Sequence, residues 1–339
     1  MQRIETEQIS GVLAIMPTPA TAHAADPRVQ DTVDHEETRR AVGALVDDGV
    51  DAVLTNGTFG EGATLTWDEH RAFASTVVDE VSGRVPVFVG ATTLNTRDTI
   101  ARAAALRDLG VSGLLLGRPM WSPCDETATV DFYRHVAQAV PELAIIVYDN
   151  PVSFRGKLSP RVYSRLADIP QVVAAKYPVL GPSFLADLEA SRGQLKLLPV
   201  ERDWYYVWRW APDQITACWS GSASCGPAPA IALRDALRAG RATEAEAIAN
   251  SYRAASRTFF PQGSFELFST YNVQLEKIRI NEAGYIKAGP SRPPYVHCPD
   301  EYAEGARESG RRLAQLHADH LAARRTGESV AAAPPGATS

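Results

Sequence analysis

Lys176 closes the apolar run Val172-Val173-Ala174-Ala175-Lys176, where an ammonium group is costly to bury. Burial disfavours the charged form and lowers a lysine's pKa, and a neutral amine can attack a ketone to form a Schiff base. Upstream, Ile145-Ile146-Val147-Tyr148 ends in the same manner with a phenol able to carry protons to and from such an adduct. Both runs are followed by a proline, Pro151 and Pro178, as short buried strands that end in a turn would be. Alone, Lys176 also fits a lysine snorkelling its charge to the surface, and Tyr148 a core phenol with a bonded hydroxyl. Together, at adjacent strand ends, they favour catalysis.

A third feature is the loop Asn56-Gly57-Thr58-Phe59-Gly60-Glu61. Its glycines let backbone N–H groups turn inward and Thr58 adds a hydroxyl, so a carboxylate or phosphate fits there. No Gly-Lys-Ser/Thr follows, which excludes the nucleotide-binding P-loop. A tight turn capping the next helix is the structural alternative. The aromatic run Trp204, Tyr205, Tyr206, Trp208 and Trp210 reads as packing for a helix or subunit contact, with one or two positions available to line an apolar pocket. His23, His35, His70, His135 and His297 lack ligand spacing, and Cys124, Cys218, Cys225 and Cys298 form no CxxC pair. No metal is expected, and the cysteines read as scattered, buried, reduced thiols.

These residues need elements to position them. Eight short apolar runs begin near Val12, Asp51, Val85, Ser112, Leu143, Gln171, Gln194 and Gln214. Amphipathic segments lie between the first of them, over residues 36–48, 67–81, 96–109 and 128–140, with Gly49 and Gly110 as stops. Strict alternation of strand and helix implies parallel pairing with right-handed crossovers. Eight such units in roughly 230 residues suit an α/β fold of the (β/α)8 TIM-barrel type better than an open sheet with two helical layers. The expected organisation is an N-terminal arm (1–10), the barrel (11–240) and a C-terminal helical extension (241–325) built from segments 242–259, 264–283 and 299–325. The tail 326–339, rich in Ala, Pro, Gly and Ser, is expected to be disordered.

Active sites of such barrels lie at strand C-termini and in the loops that follow. Polar and aromatic residues gather there: Thr18, the 56–61 loop, Thr92-Thr93, Trp121, Tyr148, Lys176, Glu201 and Trp219 to Ser222. The formal charge of −6 is mild and spread out, so neither nucleic acid nor an anionic membrane is an expected partner. The N-terminus lacks the apolar core of a signal peptide, and no apolar run reaches the roughly 18 residues of a membrane span. A cytoplasmic protein is the expectation.

The order and spacing of Gly57-Thr58-Phe59-Gly60-Glu61, Tyr148…Pro151, Lys176 and the late Ala288-Gly289-Pro290-Ser291-Arg292-Pro293-Pro294 resemble the N-acetylneuraminate lyase/dihydrodipicolinate synthase group of Schiff-base aldolases, from about Gly11 to Tyr295. The resemblance implies that Lys176 forms the imine with the keto carbon of pyruvate. It further implies that Tyr148 shuttles protons, that Thr58 and the Gly57 loop amides hold the carboxylate, and that the protein is a metal-free, cofactor-free homotetramer. Two departures bear on substrate. Phe59 replaces the second Thr of the family loop, and Pro119-Met120-Trp121-Ser122-Pro123 stands where the synthases carry a Tyr-Tyr pair. These argue against synthesis of the lysine precursor, and an aromatic mouth suits a polyhydroxylated sugar poorly.

The resemblance therefore runs to the hydratase-aldolase branch, which cleaves substituted benzylidenepyruvates to pyruvate and an aromatic aldehyde. The expected substrate is trans-2′-carboxybenzalpyruvate, giving 2-carboxybenzaldehyde in phenanthrene breakdown. The alternatives are the o-hydroxy analogue, giving salicylaldehyde, and a 2-keto-3-deoxy sugar acid lyase or dehydratase. Phe59, Trp121 and Trp219 are expected to stack on the ring, and Arg155 either to pair with a ring carboxylate or to form a surface salt bridge. Asn281, an uncharged polar residue on a late helix, is expected to bind the added water.

Overall fold

The computed structural model describes residues 3–178 and 180–326. Eight parallel strands run through it: β1 (Gly11–Ile15), β2 (Ala52–Thr55), β3 (Val87–Gly90), β4 (Gly113–Leu116), β5 (Ala144–Tyr148), β6 (Val172–Lys176), β7 (Lys196–Leu198) and β8 (Ala217–Ser220). Their order is β7-β6-β5-β4-β3-β2-β1-β8. The last gap closes through a parallel bridge between Val200 and Trp219, where the Trp219 N–H donates to the Pro199 carbonyl at 3.0 Å. The strands are buried almost throughout, as helices outside and side chains inside the barrel require. This is a TIM barrel, and the open-sheet alternative falls away.

Seven helices follow the first seven strands: α1 (His35–Asp48), α2 (Trp67–Val81), α3 (Thr96–Asp108), α4 (Glu126–Ala139), α5 (Pro160–Leu166), α6 (Phe184–Ser191) and α7 (Glu201–Trp208). Local sequence sets several of their starts. The Asp34, Asn95, Asp125 and Ser159 side chains each accept an orphan N–H of the first turn, and Thr66 with Glu69 forms a reciprocal capping box. Gly49 ends α1 in the left-handed region at φ 101°.

After β8 comes α8 (Ala228–Arg238), then α9 (Ala242–Ala255), α10 (Phe265–Thr270), α11 (Asn272–Ala283) and α12 (Asp300–Thr326). Helix α11 packs against α12, and α9 against α7 and α8, so the C-terminal helices fold back on the barrel. The tail expected to be disordered lies, past Thr326, outside the described residues. No helix among the described residues is long and apolar enough to cross a membrane. The expectation of buried thiols holds for Cys218 and Cys225; Cys298 is half-buried, and Cys124 is exposed because it sits in the loop after β4.

Candidate active site

Strands β5 and β6 pair in parallel with Tyr148 opposite Lys176, the last residue of each strand. The sequence thus places amine and phenol side by side at the C-terminal rim. Lys176 Nζ lies 4.7 Å from the Tyr148 ring centroid and 3.6 Å from that of Trp219. Trp219 is held there by its indole N–H, which donates to the Tyr177 carbonyl at 3.2 Å. Lys176 is only 5% exposed. Burial lowers its pKa, against the opposing pull of Tyr148, Glu276 and Glu201.

The Tyr148 hydroxyl sits 2.7 Å from Thr58 Oγ1 and accepts from Asn150 Nδ2 at 3.3 Å. Burial pushes this phenol's pKa up, but the Lys176 charge and the hydrogen bonds from Thr58 and Asn150 outweigh it and the net shift is downward. A lysine and a tyrosine that both give up their protons more readily than usual, side by side, are a pair suited to exchanging protons. The Tyr148 ring is braced edge-on by Phe154 at 5.4 Å. Phe154 fits only because residue 117 is glycine, where an added Cβ would fall 2.0 Å from its ring.

The Thr58 loop is anchored from below. Gly62 passes so close to the Asn56 carbonyl that a Cβ would meet it at 2.3 Å. Glu61, fully buried, accepts from Lys277 Nζ at 2.7 Å, from the Arg292 backbone N–H at 2.7 Å and from the Arg292 guanidinium. Arg292 also donates to Thr32 Oγ1 at 2.7 Å, and Thr18 Oγ1 donates to the Gly60 carbonyl at 2.8 Å. The late segment around Arg292 therefore clamps the loops after β1 and β2, which gives Glu61 a structural task. Burial draws the Lys277 ammonium down to about 8.

Above Lys176 opens a cavity of about 750 Å³, counting space open to solvent. Gly57, Thr58, Phe59, Tyr148, Lys176 and Trp219 all line it, so the structure brings together six of the nine residues singled out from sequence. Three go elsewhere. Trp121 is 74% exposed and does not line the cavity; only its neighbour Met120 reaches an adjoining hollow. Arg155 is exposed, with Nε donating to the Met120 carbonyl at 2.6 Å, a loop-bracing bond that turns it from the cavity. Asn281 brackets Gly289, donating to its carbonyl at 3.0 Å and accepting its N–H at 3.1 Å, on the exposed side of α11. The aromatic run also stays outside: Trp204 is buried with its indole bonded to the Ile215 carbonyl, and Trp210 is exposed.

The site also contains residues that sequence reading passed over. Phe259, Phe260, Phe265 and Phe268, from the segment between α9 and α11, form one wall, with the Phe259–Phe268 and Phe260–Phe268 centroids each 5.0 Å apart. Asn150, Arg202, Asn272, Glu276 and Arg279 line it as well. Glu276 and Arg279 form a buried pair at 2.6 Å; burial raises the Glu276 carboxyl's pKa despite the guanidinium. The one local signal was the clustering of phenylalanines in Thr258-Phe259-Phe260…Phe265-Glu266-Leu267-Phe268.

The sequence pattern of the dihydrodipicolinate synthetase family matches residues 10–181. A trans-O-hydroxybenzylidenepyruvate hydratase-aldolase of Pseudomonas aeruginosa is 47% identical over 323 residues, covering 94% of this chain and 96% of that protein. A trans-2'-carboxybenzalpyruvate hydratase-aldolase of Nocardioides sp. (strain KP7) is 45% identical over 322 residues, 94% of this chain and 97% of that protein. The solved structure of PhdJ bound to substrate intermediate superposes with a TM-score of 0.93 at 47% identity, covering 94% of this chain and 100% of that one. Sequence, barrel and rim geometry agree: the chain belongs to the dihydrodipicolinate synthetase family, alongside its hydratase-aldolases.

Proposed function

We propose that this protein is a Schiff-base hydratase-aldolase that cleaves a ring-substituted trans-benzylidenepyruvate to pyruvate and an aromatic aldehyde. The observation that carries the reading is the Lys176–Tyr148–Thr58 cluster at the foot of a cavity walled by phenylalanines. The amine supplies the imine, the hydroxyl pair supplies proton transfer, and the Phe wall with Phe59 and Trp219 accepts the ring by stacking. The same apolar wall argues against a hydroxylated sugar acid, whose hydroxyls would be left unpaired there.

The Lys176 amine attacks the 2-keto carbon and water leaves, giving an iminium conjugated with the side-chain alkene. Water adds at the benzylic carbon, and the proton balance at the neighbouring carbon is kept through Tyr148, with Thr58 in hydrogen-bond reach. Tyr148 then takes the proton from the new hydroxyl. The carbon–carbon bond breaks, the aldehyde leaves, and its electron pair moves into the iminium to give an enamine. Protonation and hydrolysis release pyruvate and free Lys176, with one water consumed overall. The iminium is the electron sink, so the sequence of steps calls on no metal or cofactor.

Asn150, within reach of Tyr148, and Asn272 take over the water-binding role first expected of Asn281. On this reading the reaction belongs to aromatic hydrocarbon breakdown, with phenanthrene degradation, a homotetramer and a cytoplasmic location as further parts of the proposal. The test is pyruvate release from trans-benzylidenepyruvates, followed with a coupled reductase; turnover of 2-keto-3-deoxy sugar acids alone would overturn it.

A further inference from the structure

We propose that Arg202, in the first turn of α7, selects substrates that carry a carboxylate ortho to the side chain on the aryl ring. The inference rests on the hydratase-aldolase reading and assigns the ring substituent within it. Arg202 lines the same cavity as Lys176 and the Phe wall, with its guanidinium 5.1 Å from the Phe260 ring centroid. On this assignment an aryl ring bound in the shared cavity sets its ortho substituent towards the guanidinium.

The carboxylates around Arg202 do not neutralise it. Asp203 pairs with Arg253 at 2.7 Å and Glu276 with Arg279 at 2.6 Å. Glu201, its chain neighbour, keeps a buried Oε2 without a partner. Among the described residues the Arg202 side chain makes no ion pair or hydrogen bond; its guanidinium lies over the Phe260 face. It is half-buried, so a carboxylate meeting it gains more than at an open surface. The planar guanidinium fork matches a carboxylate with two parallel bonds, a geometry a neutral phenol cannot use. Arg279, the other guanidinium in the cavity, is fully buried and already paired. Arg155 lies outside the cavity. The keto-acid carboxylate of the same substrate is served separately by the Thr58 loop, so a dianion has a partner at each end.

The experiment measures kcat/KM for trans-benzylidenepyruvate with no ring substituent, with a 2′-carboxylate and with a 2′-hydroxyl, on the wild-type protein and on Arg202→Gln. The wild type should favour the carboxylated ketone over the unsubstituted one by at least about tenfold. In Arg202→Gln that ratio should fall by about 10- to 100-fold, the usual weight of a charge-assisted hydrogen bond, mostly through KM. A wild-type ratio near one, or a ratio that Arg202→Gln leaves in place, would overturn the assignment while the reaction itself stands. No turnover of any of the three by the wild type would overturn the underlying reading and this inference with it. The wild-type ratio needs no variant, so the test does not depend on how Arg202→Gln folds.

Discussion

Tyr148 and Lys176 are register partners on adjacent parallel strands, and the Lys176 ammonium position lies 4.7 Å from the Tyr148 ring. Any bond made at the amine therefore forms within reach of a phenol that Thr58 already holds at 2.7 Å. Tyr148→Phe removes the hydroxyl proposed to carry protons and keeps the ring on Phe154. Steady-state kinetics should show kcat lowered by about 10²–10⁴-fold with the fold intact. An unchanged kcat would make Tyr148 a packing residue.

The pH dependence follows from Lys176. Attack needs the neutral amine, and burial lowers the pKa, so the protonated, inactive form gives way at lower pH than in an ordinary lysine. The free-enzyme profile of kcat/KM should rise with pH and level off below the usual lysine value of about 10.4. A limb still climbing at that value would show that Lys176 is not desolvated in solution.

The aromatic wall can be separated from the exposed loop tryptophan. Phe260→Ala and Phe268→Ala remove ring faces from the cavity, whereas Trp121 stands 74% exposed outside it. Each Phe variant should raise KM for an aryl substrate by about 5- to 50-fold, the weight of one lost aromatic contact plus its buried area. Trp121→Ala should change it by less. The reverse ranking would return the ring to the loop after β4.

Glu61 carries a stability prediction. Among the described residues it is the one carboxylate paired with both Lys277 and Arg292, in a buried cluster. Glu61→Gln leaves two buried cations without a counter-charge, and denaturant unfolding should report a loss of about 3–5 kcal/mol. Because the same cluster holds the loop bearing Thr58, KM for the keto acid should rise too. An unchanged midpoint would remove the clamp from the account.

The strands and the rim were legible because their signals are local. Val172 to Lys176 and Ile145 to Tyr148 are apolar runs that end in a polar residue, and parallel pairing then fixes which ends meet. The glycine-bearing turn that presents Thr58 was equally plain. What escaped depends on how distant segments fold back. Phe259 to Phe268 lie beyond the barrel in sequence and reach its mouth only through the packing of the C-terminal helices. Residue type and proximity in sequence point to Trp121, Arg155 and Asn281. Yet backbone carbonyls claim Arg155 and Asn281, and solvent surrounds Trp121. Residue type suggested a role; the backbone geometry of a loop or helix decided direction.

Every step of the proposed reaction depends on an imine between Lys176 and a 2-keto acid. Incubation with pyruvate and borohydride, followed by peptide mass mapping, tests it most directly. A reduced pyruvyl adduct should form on Lys176 and none on Lys176→Ala. A folded protein that acquires no adduct, or acquires it on another lysine such as Lys277, would contradict it.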